Sequence, residues 1–506
     1  MNEVALKPAP ELMLAATGSA DRSIAVSGSQ TRPPALENET GISPRGESSH
    51  ELGALHGLRF IAAFCVLLPH ACTWLANFKD NHVLNFCGEF LTTYGMPLFF
   101  VLSGFVIHYN YSRLFSTMRP RWAIVEFLGA RFARIYPLFI CFFLVGIAVD
   151  GMLQWADHHK LNLFVVVTHA LTLTQSWVYI VIYGDRLALD NGFGLSWSLS
   201  TEFFFYLSYL VLALHIARLR SVLGLLFTAA LMSTVVYLAL SYGASHHSKI
   251  EAFAREHLND HFSDWNSSAY RWFFYYSPYV RVFEFMLGCL TAQIYACRTA
   301  HPISSAEARL GRYLLGASIS VLFAFSLINL FAPFGPSVDA YIKLFKLNYG
   351  PAIPIAALIF CVARYKSSAV AMILSAPIMI LLGELSFSIY VIHTWTLRIF
   401  ERPTMTFSWM LGFEAIYRIV LAVALTITLS YATYHLIEVP ARARLRKAVS
   451  NALLRNFGTR EANSLPVGHV HSNLCAAILC GSFIAMIAAV LVYQFLVVPY
   501  FTPYTN

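Results

Sequence analysis

The stretch "GLRFIAAFCVLLPHACTW", residues 57–74, is apolar enough to enter a lipid bilayer, yet it contains Arg59 and His70. A helix needs about 20 apolar residues to cross the hydrocarbon. Eleven positions of an α-helix make three turns plus roughly 20°, so both side chains point from one helix face, about 16 Å apart along the axis. Ionisable groups inside a bilayer are costly, and this pair therefore predicts a functional site.

The composition indicates the solvent in which the chain folds. Of 506 residues, 57% are hydrophobic and 12% are charged, with a mean hydropathy of +0.59. Soluble domains carry about 25% charged residues. We therefore predict an all-α fold, a polytopic integral membrane helical bundle. Basic cytosolic loops are sufficient to explain the net charge of +8. We therefore expect membrane lipid, and no nucleic acid, among the partners of the chain.

The N-terminal segment and the cysteines add two expectations. Residues 1–53 are rich in Ser, Pro, Ala, Glu and Gly and lack a long apolar run, which predicts a disordered cytosolic tail and not a secretion signal. The nine cysteines form no close CxxC pair and no Cys/His ligand spacing. No metal is expected.

Eleven apolar segments are predicted to cross the membrane, ten as a core and the last as an extra C-terminal helix. Their predicted limits are 55–76, 94–112, 134–153, 197–217, 221–242, 277–297, 313–333, 349–364, 376–398, 414–437 and 473–498. The chain then divides into a membrane domain at 54–447, a basic cytosolic linker at 448–472, and the extra helix with its short outside tail at 473–506.

A further apolar stretch, 161–182, is ambiguous by hydropathy, and the loop charges decide its assignment. If it does not cross and the N-terminus is cytosolic, the inside loops hold 18 Lys and Arg residues against 9 outside. If it does cross, the later loops invert and give 12 inside against 15 outside. The excess of positive charge in cytosolic loops favours the first arrangement. The stretch is therefore predicted to be interfacial or re-entrant, with the C-terminus outside.

This topology predicts two polar clusters at different depths. His70, Glu202 of "WSLSTEFFFYL" and His393 of "GELSFSIYVIHTW" are expected together in the outer half of the membrane. A lone buried histidine is more often a hydrogen-bonded bundle residue, but three titratable groups at one depth favour a reaction centre.

The second cluster lies towards the cytosol. Arg131 and Arg134 of "RFARIYP" are one helical turn apart at the predicted mouth of the third span, on the same side as Arg59. Fixed guanidinium groups of this kind are suited to phosphate. Snorkelling of Arg59 to the interface and simple topology signals are the alternatives.

Seven segments, in chain order, form a recognisable set: "GLRFIAAFCVLLPH" (57–70), "PLFFVLSGF" (97–105), "RFARIYP" (131–137), "WSLSTEFFFYL" (197–207), "RVFEFMLG" (281–288), "GELSFSIYVIHTW" (383–395) and "IEVPAR" (437–442). Together they resemble the integral membrane acyltransferase family 3, the O-acyltransferases of surface polysaccharides and related glycans. The resemblance covers roughly 52–447. Some members carry a fused extracytoplasmic hydrolase-like domain, which is not expected here because only a short tail follows the last span.

The resemblance implies a donor and an acceptor. Members of the family are taken to use cytosolic acyl-CoA, and within that class acetyl-CoA is expected here. The acceptor would be a hydroxyl group of an outward-facing glycan or lipid-linked saccharide. The location implied is the bacterial inner (plasma) membrane. The sequence identifies neither the acceptor nor the acyl group.

Each candidate residue receives a role on this basis. His70 would act as general base and Glu202 would orient it. Arg59 would act at the site together with Arg131 and Arg134 as a phosphate-binding group. Ser103 and Gly104 would let the donor pass close to the backbone, with close helix packing as an equal alternative.

Two further residue assignments and two rival protein classes remain. His393 is a further candidate, and the Arg281–Glu284 pair is assigned to structure. A transporter or flippase for a glycan precursor is the main rival, against which no inverted repeat or matched pair of broken helices is found. An acyltransferase of the glycerolipid type is the second rival, but it needs a His followed five positions later by Asp, a spacing that does not occur.

Overall fold

A computed structural model describes the chain in segments. The described residues are 52–75, 82–117, 120–149, 160–182, 185–187, 195–258, 260, 268–328, 336–401, 414–462 and 469–498. The predicted tail at 1–53 lies outside them apart from its last two residues. The described residues are overwhelmingly helical, which confirms the predicted fold class.

The first half of the chain contains nine labelled helices. They are α1 (Gly53–Leu75), α2 (His82–Thr92), α3 (Gly95–Thr117), α4 (Pro120–Val149), α5 (Lys160–Leu171), α6 (Ser196–Ile216), α7 (Val222–Ser245), α8 (His247–His257) and α9 (Pro278–Thr299). Two short strands, β1 (Val181–Ile182) and β2 (Asp185–Arg186), pair antiparallel between α5 and α6. A short turn of helix (Ala269–Arg271) and a π-helical turn (Trp272–Tyr276) lead into α9.

The second half adds nine more. They are α10 (Ser305–Leu327), α11 (Pro336–Leu347), α12 (Ala352–Arg364), α13 (Ala369–Leu374), α14 (Pro377–Glu384), α15 (Ser386–Glu401), α16 (Glu414–Thr433), α17 (Val439–Ala462) and α18 (His469–Val492). π-Helical turns at Tyr434–Glu438 and Tyr493–Val497 follow α16 and α18.

Among the described residues, 10 helical stretches are long and apolar enough to cross a membrane. The pair α14 and α15 is bent by 65° at its break, and it makes an eleventh span if the two helices cross together and a re-entrant loop if they do not. The described parts of the eleven predicted spans lie on these helices. The molecule is therefore a polytopic membrane protein. The orientation of its termini stays a prediction.

Two helices extend beyond the predicted spans. Helix α4 begins at Pro120, so Arg131 and Arg134 lie well inside a helix, and their place at the mouth of the third span stays a prediction. Charges at helical spacing in 121–134 hide this extension from a hydropathy window, and packing supports it: a Cβ on Gly129 would lie 2.8 Å from Val449 of α17. Helix α17 runs through 448–462, the first part of the predicted linker.

The stretch 161–182 contains too little helix to cross. Helix α5 has 12 residues, which rise roughly 18 Å against a hydrocarbon thickness of about 30 Å. The chain then leaves the helix at Leu173, which has a φ of 53°, in the left-handed region. The structure therefore agrees with the prediction that this stretch does not span.

The non-helical chain after α5 is buried and held by side chains. The Ser176 hydroxyl donates to Ser200 Oγ at 2.8 Å, and the Trp177 indole donates to the Ser200 carbonyl at 3.1 Å. Gln494, in the π-helical turn after α18, accepts from the Tyr179 N–H at 2.6 Å and donates to its carbonyl at 3.0 Å. Irregular backbone in a membrane protein needs such internal partners. The extra C-terminal helix thus supports the segment that holds the start of α6.

The centre of the bundle is a close crossing of α3 and α9. A Cβ on Gly104 would lie 2.0 Å from the Phe285 carbonyl, and one on Gly288 would lie 2.0 Å from the Val101 carbonyl. Both positions therefore require glycine. This reciprocal contact lets the two helices approach at backbone distance, as small residues do in membrane bundles. It favours the helix-packing alternative for Gly104.

Candidate active site

A cavity lies between five helices, and one face of each helix lines it. It is lined by side chains three to four positions apart along α3, α4, α6 and α15, the spacing of one helical face, together with Arg59 of α1. The cavity and its mouth hold about 740 Å³ of space that no atom occupies. The lining residues that carry the argument are Arg59, Ser103, Arg131, Arg134, Glu202 and Tyr390.

Three arginines gather at this cavity although they come from two helices. Arg59 lies within electrostatic range of both Arg131 and Arg134. The Arg131 guanidinium donates to the Tyr111 hydroxyl at 2.8 Å and lies over the Tyr111 ring, 4.8 Å from its centroid. Its buried Nε has no hydrogen-bond partner. The predicted cationic cluster is therefore present, and the Nε–H group of Arg131 has no acceptor within it.

Glu202 lies with the arginines and not with the histidines. Its Oε1 accepts a hydrogen bond from Ser103 Oγ at 3.0 Å, and both residues line the cavity. Glu202 is also within electrostatic range of Arg59 and Arg131. The sequence placed Glu202 at the depth of His70 because it counted residues from a predicted span end; the structure places its carboxylate near two arginines and in a hydrogen bond with Ser103.

His70 meets His393 at the far end of α1. His70 Nδ1 and His393 Nε2 are 3.0 Å apart, and the ring centroids are 5.3 Å apart. His393 is fully buried, whereas His70 is half-buried. Helix α1 continues through Pro69 to hold this end of the site in place. Two of the three groups predicted to converge therefore do so.

The hydrogen bonds of His393 fix the tautomers of the pair. His393 Nδ1 lies 2.7 Å from the Tyr390 carbonyl, which can only accept, so this nitrogen carries the proton. In a neutral ring the His393 Nε2 is then an acceptor, and His70 Nδ1 must donate to it. A neutral His70 therefore keeps its lone pair on Nε2, the arrangement of a general base.

Tyr390 connects the two ends of the site. It lines the cavity and stands one helical turn before His393 on α15. Its hydroxyl is 2.5 Å from Ser198 Oγ and donates to the Leu195 carbonyl at 3.2 Å, which ties α15 to the start of α6. Sequence reasoning missed this tyrosine, although its position three residues before His393 marked it as a neighbour on the same face.

The structure also places the remaining candidates. The Arg281–Glu284 pair is buried in the core, with a distance of 3.1 Å between Arg281 Nη1 and Glu284 Oε1. Its assignment to structure stays a prediction. In the part of the chain that the structure describes, no group of three or more His, Cys, Asp or Glu side chains is placed to hold a metal ion.

A helical membrane bundle with a cationic cavity next to an oriented histidine pair has the layout of a membrane-embedded group-transfer enzyme. Comparison with known families makes the assignment specific. The family model described as an acyltransferase domain matches residues 52–435, most of the chain. The chain belongs to this family and is an acyltransferase.

Two curated relatives are similar over most of this chain. Acyltransferase MdmB of Streptomyces mycarofaciens is 25% identical over 351 residues, which are 69% of this chain and 79% of that protein. O-acetyltransferase OatA of Staphylococcus aureus is 24% identical over 415 residues, which are 79% of this chain and 59% of that protein. The match thus spans less than two thirds of OatA. No solved structure matches the chain.

Proposed function

We propose that this acyltransferase moves an acyl group, in the first place acetyl, from cytosolic acyl-CoA to a hydroxyl group of an outward-facing glycan or lipid-linked saccharide. One observation carries the proposal: α1 joins an arginine-lined cavity to a histidine whose Nε2 is left as a base. The relative OatA is an O-acetyltransferase by name, which supports a hydroxyl acceptor.

The arginine end suits the donor. Arg59, Arg131 and Arg134 supply planar groups that bind phosphate oxygens in pairs. The rest of the cavity wall is largely apolar and aromatic, with Phe99, Phe100 and neighbouring residues, and accepts the uncharged thioester arm. Glu202 and Ser103 then hold the arginines and the arm in position, and this replaces the role of orienting His70 that the sequence suggested for Glu202.

The histidine end suits the transfer step. His70 Nε2 removes the proton of the acceptor hydroxyl as its oxygen attacks the thioester carbonyl carbon. The new C–O bond forms, the C–S bond breaks, and His70 returns the proton to the CoA thiolate, so that free CoA leaves as the thiol. His393 accepts from His70 Nδ1 throughout and stabilises the imidazolium, as a carboxylate does in other triads.

The proposed location is the bacterial inner membrane, with the N-terminus in the cytosol and the C-terminus outside. A reporter that is active only outside the cytosol is expected to be active when fused after Asn506 and inactive when fused within 455–465. The reverse pattern would mean that 161–182 spans after all, and the inside or outside assignment of every site after it would be wrong.

Thioester cleavage by the purified full-length protein separates the enzyme from a transporter. In detergent with acetyl-CoA, release of free thiol should rise when a cell-envelope glycan fraction is added. The parent protein is compared with Arg444→Ala, which removes an exposed charge away from the cavity and should behave like the parent. No thiol release by either protein, both folded, would favour the transporter. Mass analysis of surface glycans with and without the gene then identifies the acceptor through a lost acyl mass.

A further inference from the structure

A fourth arginine, Arg442, stands beside the arginine end of the cavity without lining it. It lies near the start of α17 and within electrostatic range of Arg59 and Arg134. Its side chain is 18% exposed. Its other charged neighbours are Glu438 and Arg446, and Arg446 is exposed. Glu202 acts on Arg59 and Arg131 but is not among the charged neighbours of Arg442, and Arg442 does not line the cavity, so Arg442 lies at the edge of the arginine cluster.

Buried groups hold the Arg442 guanidinium in one orientation. Arg442 Nη2 donates to Glu438 Oε1, one helical turn earlier. The second oxygen of Glu438 accepts from Ser388 Oγ at 3.0 Å, and Ser388 lies two residues beyond the cavity-lining Ser386. The buried Nε of Arg442 has no hydrogen-bond partner. The side chain is thus oriented by α15 while part of its donor capacity stays unused.

The charges around this end do not cancel. Arg59 lies within electrostatic range of Arg131, Arg134 and Arg442, and Arg442 lies within range of Arg134 and Arg446. The carboxylates among them belong to Glu202 and Glu438, with Glu384 near Tyr434 and Glu126 near Arg446. Positive charge remains in excess, and an excess in a low-dielectric setting is costly unless an anion binds.

We propose that Arg442 binds the ribose 3′-phosphate of the donor; the inference rests on the proposed use of acyl-CoA. CoA carries phosphate at two places, a diphosphate in the middle of the molecule and a separate 3′-phosphate at the end remote from the thioester. The three cavity arginines take the diphosphate. Arg442 is the guanidinium beyond them, where the terminal phosphate arrives.

Two ligands that differ only in this phosphate test the assignment. Calorimetry with the full-length protein in detergent measures the affinity for CoA and for dephospho-CoA. The parent should bind CoA about tenfold or more tightly than dephospho-CoA, the value of one charge-assisted contact. Arg442→Ala should lose this preference and keep the affinity for dephospho-CoA. The matched control Arg444→Ala, an exposed arginine of the same helix, should keep the preference.

Arg442→Ala leaves Glu438 without its cation, so a second variant protects the test against misfolding. The double variant Glu438→Gln with Arg442→Gln removes both charges and should also lose the preference. An equal loss of affinity for both ligands, or a parent that binds both equally, overturns the assignment and leaves the proposed donor standing. A folded parent that binds neither ligand overturns the proposed donor as well.

Discussion

The two ends of α1 each bury a polar side chain, but they do so in opposite ways. At one end Arg59 keeps its charge, stands among other cations and faces an open cavity. At the other end His70 meets His393, an imidazole that is fully buried. A guanidinium cannot lose its proton, so it needs a ligand or solvent. An imidazole can be buried without charge once its N–H groups have acceptors.

This difference separates binding from chemistry. In the proposed function, the excess of cations binds an anionic donor, and the histidine removes the proton of the acceptor hydroxyl. Tyr390 lies between the two ends, with its ring at the cavity and its carbonyl on His393. Changes at the histidine end should therefore lower turnover, and changes at the arginine end should weaken donor binding.

The largest effect is expected for His70→Ala. Loss of a general base lowers turnover about 10²- to 10⁴-fold. CoA affinity should stay at the parental value, because the arginine end is untouched. Turnover is measured as acceptor-dependent thiol release, and affinity by calorimetry. Parental turnover in this variant would exclude His70 as the base.

Arg59→Ala should show the reverse pattern. A charge-assisted phosphate contact contributes about 1.5–3 kcal/mol, so the apparent donor requirement should rise about 10- to 150-fold. Turnover at saturating donor should recover. Arg59→Lys should rescue only in part, since an ammonium cannot make the paired contact. Unchanged CoA affinity in folded Arg59→Ala would assign this arginine to the lipid interface instead.

Tyr390→Phe tests the connection between the ends. The change removes only the hydroxyl, and with it the bonds to Ser198 and Leu195. A net hydrogen bond contributes about 0.5–1.5 kcal/mol, so turnover should fall about 2- to 10-fold through looser placement of α15. Thr394→Val, which alters a buried hydroxyl on the same helix outside the cavity, is the matched control. An equal fall in both variants would indicate a general loss of packing.

Glu202→Gln is expected to have the smallest effect. The amide oxygen can still accept from Ser103, and the lost charge interaction at a half-buried site is worth about 0.2–1 kcal/mol. Donor affinity should change by no more than about fivefold, with turnover near the parental value. A loss of turnover as large as that of His70→Ala would mean that Glu202 acts on His70 after all.

Sequence reasoning predicted part of the site because some signals are local. The spacing of Arg59 and His70 and the apolar lengths are properties of one helix, and they hold. Hydropathy did not show that the helix of Arg131 begins more than two turns before it, because charged residues inside a helix look like a boundary. It also did not show that Glu202 lies within electrostatic range of Arg59 and Arg131, because that proximity joins different helices.

By itself, the sequence determined that the chain lies in a membrane, which segments are apolar enough to cross it and which polar residues lie in them, because a bilayer imposes length and polarity on each helix separately. Only the tertiary structure decided which of these residues meet. In the tertiary structure His70 contacts His393, whereas Glu202 lies near Arg59. Arg442 also lies near Arg59, although it follows it by almost 400 positions in the chain. These choices depend on how helices pack, and packing is set by shape and partners across the bundle, which no single stretch of sequence contains.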